Sequence, residues 1–112
     1  MKIAITSTGA SKESPVSEKF GRCSYFVIYD TVDETIYSIV NTAVNSEHGA
    51  GPRAAQLIIN ENAEVVLTGA VGGNAENVLN TGKVKIVTGF KSNMKITEAI
   101  NHYLNKTKMD LN

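Results

Sequence analysis

Two side chains in this 112-residue sequence could bond a transition metal from glycine-rich surroundings: Cys23, directly after Gly21-Arg22, and His48, directly before Gly49-Ala50-Gly51. A thiolate and a neutral imidazole together suit iron or another soft to intermediate metal. Arg22 beside Cys23 is expected to favour the thiolate, and Arg22 and Arg53 could each pair with carboxylate groups of an anionic ligand. The plainer readings are that Cys23 is a small buried hydrophobe and that His48 is a solvent-exposed loop residue. A single cysteine excludes an internal disulfide framework and cannot alone build a four-cysteine cage. His102 lies off the apolar stripe of its helix and is given no role.

Other chemistries are weakly signalled. Neither G-x-x-x-x-G-K-[ST] nor a post-strand G-x-G-x-x-G occurs, and Gly69-Ala70-Val71-Gly72-Gly73-Asn74 only approximates a phosphate loop. A two-metal nuclease needs carboxylates on its central strands, whereas the first strand reads Ile3-Ala4-Ile5-Thr6-Ser7. No nucleophile elbow is present, so no catalysis is expected.

The elements that must position these loops follow from period and punctuation. Ile3 to Thr6 is a buried strand. Ser24 to Asp30 and Ile36 to Val40 form a hairpin across Thr31 to Thr35. A helix starts at Pro52 and stops at a left-handed Asn62. Glu64 to Thr68 is a strand, Asn74 to Asn80 a helix capped by Asn74 and ended near Gly82, and Lys83 to Thr88 a strand. Ile96, Ala99, Ile100, Tyr103 and Leu104 make the apolar stripe of a last helix capped by Ser92 or Asn93. Residues 1–104 thus form one domain and 105–112 a polar tail.

A β-β-β-α-β-α-β-α order with right-handed crossovers predicts a three-layer α/β/α domain. Its five-stranded mixed sheet has the order 3-2-1-4-5 with strand 2 antiparallel, a ribonuclease-H-like motif. Five loops then share one sheet edge: Thr8 to Pro15, Gly21 to Cys23, Glu47 to Gly51, Gly69 to Asn74 and Gly89 to Asn93. Three feed helix amino termini, where unpaired N–H groups favour an anion. At about 0.3–1 kcal/mol each these give roughly 1–3 kcal/mol, against about 12 for nanomolar binding, so tight binding needs direct bonds.

Eleven basic residues balance 11 acidic ones, which leaves no long-range field to attract nucleic acid or an anionic membrane. No apolar run approaches the roughly 20 residues of a membrane span and none resembles a signal peptide, so a cytoplasmic protein is expected. The edge strand Ile36 to Val40 could pair two protomers into a homodimer.

Lys2-Ile3-Ala4-Ile5, Phe20-Gly21-Arg22-Cys23-Ser24-Tyr25-Phe26, His48-Gly49-Ala50-Gly51 before Ala54-Ala55-Gln56-Leu57, and Gly72-Gly73-Asn74-Ala75 occur in one order. In that order and spacing they resemble the dinitrogenase iron-molybdenum-cofactor-binding family over nearly the whole chain to about Leu104. The resemblance implies a non-catalytic carrier of an anionic iron-molybdenum or iron-sulfur cluster in nitrogenase cofactor assembly, with proteins that donate and accept it. It implies cluster contact by Cys23 and His48, with Gly49 to Gly51 and Gly72, Gly73 and Asn74 supplying backbone donors. The chain departs from the family pattern at Gly73, where proline often stands, which leaves that turn freer. A regulatory module for a small anion or nucleotide, or a protein-interaction domain, are the alternatives on the same fold.

Overall fold

Alternation along the strands builds two cores on opposite sides of one sheet. In the computed structural model, which describes residues 1–110 and side chains through Lys106, β1 (Lys2–Ser7), β2 (Tyr25–Asp30), β3 (Thr35–Val40), β4 (Val65–Leu67) and β5 (Lys85–Val87) are ordered 3-2-1-4-5. β1 pairs antiparallel with β2 and parallel with β4; β2 is antiparallel to β3, and β4 parallel to β5. The ribonuclease-H-like topology expected from the sequence is therefore present.

Ala4, Phe26, Ile28 and Val66 face one core, closed by α1 (Ala50–Asn60) and α2 (Gly73–Thr81). Ile3, Ile5, Val27, Val65 and Leu67 face the other, closed by Ile96, Ala99, Ile100 and Tyr103 of α3 (Ile96–Asp110). The two-residue period of the strands makes this division unavoidable once both faces are covered. Among the described residues, no helix is long and apolar enough to cross a membrane.

The helix starts differ from the sequence expectations, and each difference bears on the loop edge. α1 begins at Ala50, two residues before Pro52, because Gly49 turns into the left-handed region (φ 72°) and its carbonyl accepts the Arg53 N–H at 3.0 Å. Pro52 then occupies the third helical position, where its missing N–H costs nothing. α2 begins at Gly73 with Gly72 as N-cap and no side-chain cap, so Asn74 is a helical residue and not the cap. α3 starts after Lys95, whose N–H is accepted by Glu98 Oε1 at 2.9 Å, and neither Ser92 nor Asn93 caps it. It continues through Asp110, so part of the stretch read as a tail is helical; Leu111 and Asn112 lie outside the described residues. Helix ends elsewhere follow expectation: Asn62 (φ 65°) turns left-handed after α1, and α2 ends at Thr81 with Gly82 as its C-cap, the left-handed turn falling on Lys83 (φ 61°).

Candidate functional site

A cavity of about 310 Å³ opens where the Gly21 turn meets the amino termini of α1 and α2. Its position is set by three close backbone approaches. The chain entering β2 runs beside the 69–72 loop, with Ala70 donating to the Glu18 carbonyl (2.8 Å) and Phe20 donating to the Ala70 carbonyl (3.1 Å). Gly69 permits that crossing, since a Cβ there would collide with the Glu18 backbone. A Cβ on Gly21, whose φ is +90°, would lie 2.9 Å from Gly51 Cα, and one on Gly51 would lie 3.0 Å from Ala75 Cβ. Three loops thus converge because the residues at their crossings carry little or no side chain.

Of the residues singled out in the sequence, Arg22, Gly49, Gly51, Gly72, Gly73 and Asn74 line this cavity together. Phe20, Ala50, Pro52 and Ala75 also line it. Ala50 falls within the Gly49 to Gly51 stretch expected to supply backbone donors, while Phe20, Pro52 and Ala75 carry no polar side chain and nothing in the sequence marks them as site residues. Among the described residues, the N–H groups of Ala50, Gly51, Gly73, Asn74 and Ala75 have no backbone acceptor. They are the orphan donors of two helix starts meeting at one opening. Beyond Gly72 and Gly73 the space is open: an added Cβ at either would meet nothing within 4 Å.

The third helix start does not join them. Ile96 N–H is taken by the Ser14 carbonyl (2.9 Å) and Thr97 N–H by the Lys12 carbonyl (3.1 Å), so the 8–15 loop itself covers α3. The helix-dipole contribution to anion binding is thereby reduced to two termini, roughly 0.6–2 kcal/mol.

Cys23 stands apart from the opening. It is 1% exposed, packed in the α1/α2 core, and absent from the cavity wall. The fully buried Asn41 holds it from behind: Asn41 Nδ2 donates to the Gly21 carbonyl (3.1 Å), the Cys23 carbonyl (2.8 Å) and Cys23 Sγ (3.7 Å). Burial pushes the thiol up to about 11, outweighing the hydrogen bonds from Asn41 and nearby backbone that pull it back. The expected lowering by Arg22 does not occur. Arg22 Nη1 instead donates to the Val44 and Ser46 carbonyls at 2.8 and 3.0 Å, tying the 41–49 loop to the Gly21 turn. Arg53 reaches Ser46 Oγ at 3.5 Å from the other side. His48 is exposed on that loop and outside the cavity wall. Among the described residues no three His, Cys, Asp or Glu side chains gather in a group able to hold a metal ion.

The raised thiol gives a stability consequence with a definite sign. The unfolded thiol ionises near 9.0 and the folded one near 11, so the folded state holds its proton longer. This contribution is intact below about pH 9 and is lost as pH rises through 11; by pH 10 it amounts to about 1.4 kcal/mol. Urea unfolding at pH 8 and pH 10 is expected to show a loss larger by that amount in the wild type than in Cys23→Ala; equal losses would contradict the buried neutral thiol.

Known proteins share this fold. A sequence profile of the family described as dinitrogenase iron-molybdenum cofactor matches residues 1–106. The apo form of the orange protein from Desulfovibrio gigas is 29% identical over 94% of this chain and 88% of its own, with a TM-score of 0.90. A NifB-like protein from Thermotoga, TM1290, is 33% identical over 93% of this chain and 87% of its own, with a TM-score of 0.81. PH0822, at 23% identity, covers 95% of this chain and 92% of its own with a TM-score of 0.76 and shows the shared fold alone. No curated protein sequence matches the chain.

Proposed function

The chain belongs to the dinitrogenase iron-molybdenum cofactor family, and we propose that it is a non-catalytic carrier which holds an anionic iron-molybdenum or iron-sulfur cluster against the amides of the α1 and α2 starts. The observation that carries this reading is the convergence of five N–H groups without backbone acceptors on one open cavity whose rim holds Arg22. The names of two neighbours, an orange protein in its apo form and a NifB-like protein, support a ligand-holding role related to cofactor assembly. Gly49, Gly51, Gly72, Gly73 and Asn74 shape the cradle, Arg22 and Arg53 supply cationic charge beside it, and His48, exposed outside the cavity wall, adds no metal bond. Cys23, sealed in the core against Asn41, whose Nδ2 donates to the Gly21 carbonyl, is a packing residue and not a ligand.

Energetics suit a carrier. Amide donors without metal–ligand bonds hold an anion less tightly than direct ligation does, which allows cargo to be received from a donor protein and released to an acceptor. The test is gel-filtration retention of preformed iron-molybdenum cofactor under anaerobic conditions, read as molybdenum and iron per chain. Retention within about twofold of wild type is expected for the Cys23→Ala, His48→Ala double variant. Loss of retention in that variant would assign the cargo to thiolate and imidazole ligation. Inorganic phosphate displacing the cofactor at equal concentration would favour a small-anion module on the same amides.

A further inference from the structure

A second cavity, of about 210 Å³, lies on the other side of the sheet, between the loop following β5 and α3. Its wall is apolar where Val87, Phe90, Met94 and Tyr103 meet. Phe90 is held edge-on by the His102 ring, with centroids 6.1 Å apart and planes at 86°. Lys91, His102 and Lys106 are exposed residues of the same wall, and none of its described residues is acidic. One carboxylate reaches this loop: Glu18 accepts the Ser92 N–H at 2.7 Å and is held below the usual carboxylate range by that bond and by Lys91.

An apolar floor with a cationic mouth selects for a molecule with one apolar and one anionic end. Size narrows the choice: a cavity of about 150 Å³ accommodates benzene, so about 210 Å³ takes an aromatic ring bearing a small substituent. The ring would pack against Phe90 and Met94, and a carboxylate would reach the lysines and His102. We infer that this cavity is a binding site for a small aromatic carboxylate, separate from the amide-lined opening. The loop that forms it also contacts the 68–69 segment beside that opening, through Gly89 N–H to the Gly69 carbonyl (3.0 Å) and Phe90 N–H to the Thr68 carbonyl (3.2 Å). That contact gives the second site a direct backbone connection to the first.

The experiment is a titration of the intact chain with benzoate, followed by amide and histidine-ring resonances. Saturable shifts are expected at residues 87–94 and 102–106, with the largest ring response at His102. The Lys91→Glu, Lys106→Glu variant, both sites being exposed, is expected to retain its Tm and to weaken benzoate binding at least about fivefold. Benzyl alcohol should bind more weakly than benzoate by a similar factor. The inference is overturned if no shift saturates below about 20 mM, which corresponds to about 2.3 kcal/mol of binding. It is equally overturned if benzyl alcohol and benzoate bind alike, or if the shifts centre on Ala50, Gly51 and residues 73–75. Loss of cofactor retention at the first opening would leave these outcomes unchanged, so the two readings fail independently.

Discussion

Replacing Gly72 with aspartate is expected to weaken retention of an anionic metal-sulfur cluster at least tenfold while leaving the fold as stable as before or slightly more so. Gly72 is the N-cap of α2 with φ −75° and ψ 160°, a backbone any residue adopts, and an added Cβ meets nothing within 4 Å. An aspartate there can accept the Asn74 or Ala75 N–H, the usual N-cap bond, and gain a few tenths of a kcal/mol over glycine. The same bond removes a donor from the cavity and sets a like charge beside the cargo. A tenfold loss requires only about 1.4 kcal/mol, less than unit charges a few ångströms apart exert in a partly buried site. Gly72→Asn separates the effects, since it caps without charge and should lose less. Thermal melting with cofactor retention on the same samples reads both signs; unchanged retention in Gly72→Asp would remove α2 from the site.

The second large effect is structural and falls on Gly21. Gly21→Ala is expected to cost about 3 kcal/mol and lower Tm by roughly 10 °C. Two costs coincide. The φ of +90° is rarely adopted by residues with a side chain, and the new Cβ would lie 2.9 Å from Gly51 Cα, a backbone atom within α1 that cannot swing aside. Gly73→Ala is the internal contrast: it lies in the first turn of α2 with open space around it and is expected to be neutral or to gain up to about 1 kcal/mol. Calorimetry of the pair would show opposite or near-opposite signs for the same chemical change. Equal, small effects would mean that the Gly21 and Gly51 backbones are not locked together.

The sheet was legible in the sequence because its signals are local. Alternation at Ile3-Ala4-Ile5 and Tyr25 to Ile28, the polar turn before β3, and the 3.6-residue stripe from Ile96 to Tyr103 each reflect one element packing on one face. The converging glycines were legible too, since six of the nine residues assigned to the site line one cavity. What could not be read was which partner each terminus would meet. Ser92 and Asn93 look like caps for α3, yet the distant Lys12 and Ser14 carbonyls take its first N–H groups. Cys23 beside Arg22 looks like an activated thiol, yet alternation in the incoming segment turns it inward onto Asn41, while Arg22 turns out to the Val44 and Ser46 carbonyls. Both differences arise from contacts between segments far apart in sequence. His102, given no role from its place off the helix stripe, stands against Phe90 for the same reason.

The central claim, that backbone amides of two helix starts hold the anionic cargo, is tested most directly by titrating the isotopically labelled chain with tetrathiomolybdate, a diamagnetic molybdenum-sulfur dianion. Saturable amide shifts greatest at Ala50, Gly51, Gly73, Asn74 and Ala75, with Cys23 carbon resonances unmoved, are the expected result. A response centred on Cys23, or none that saturates, would contradict it.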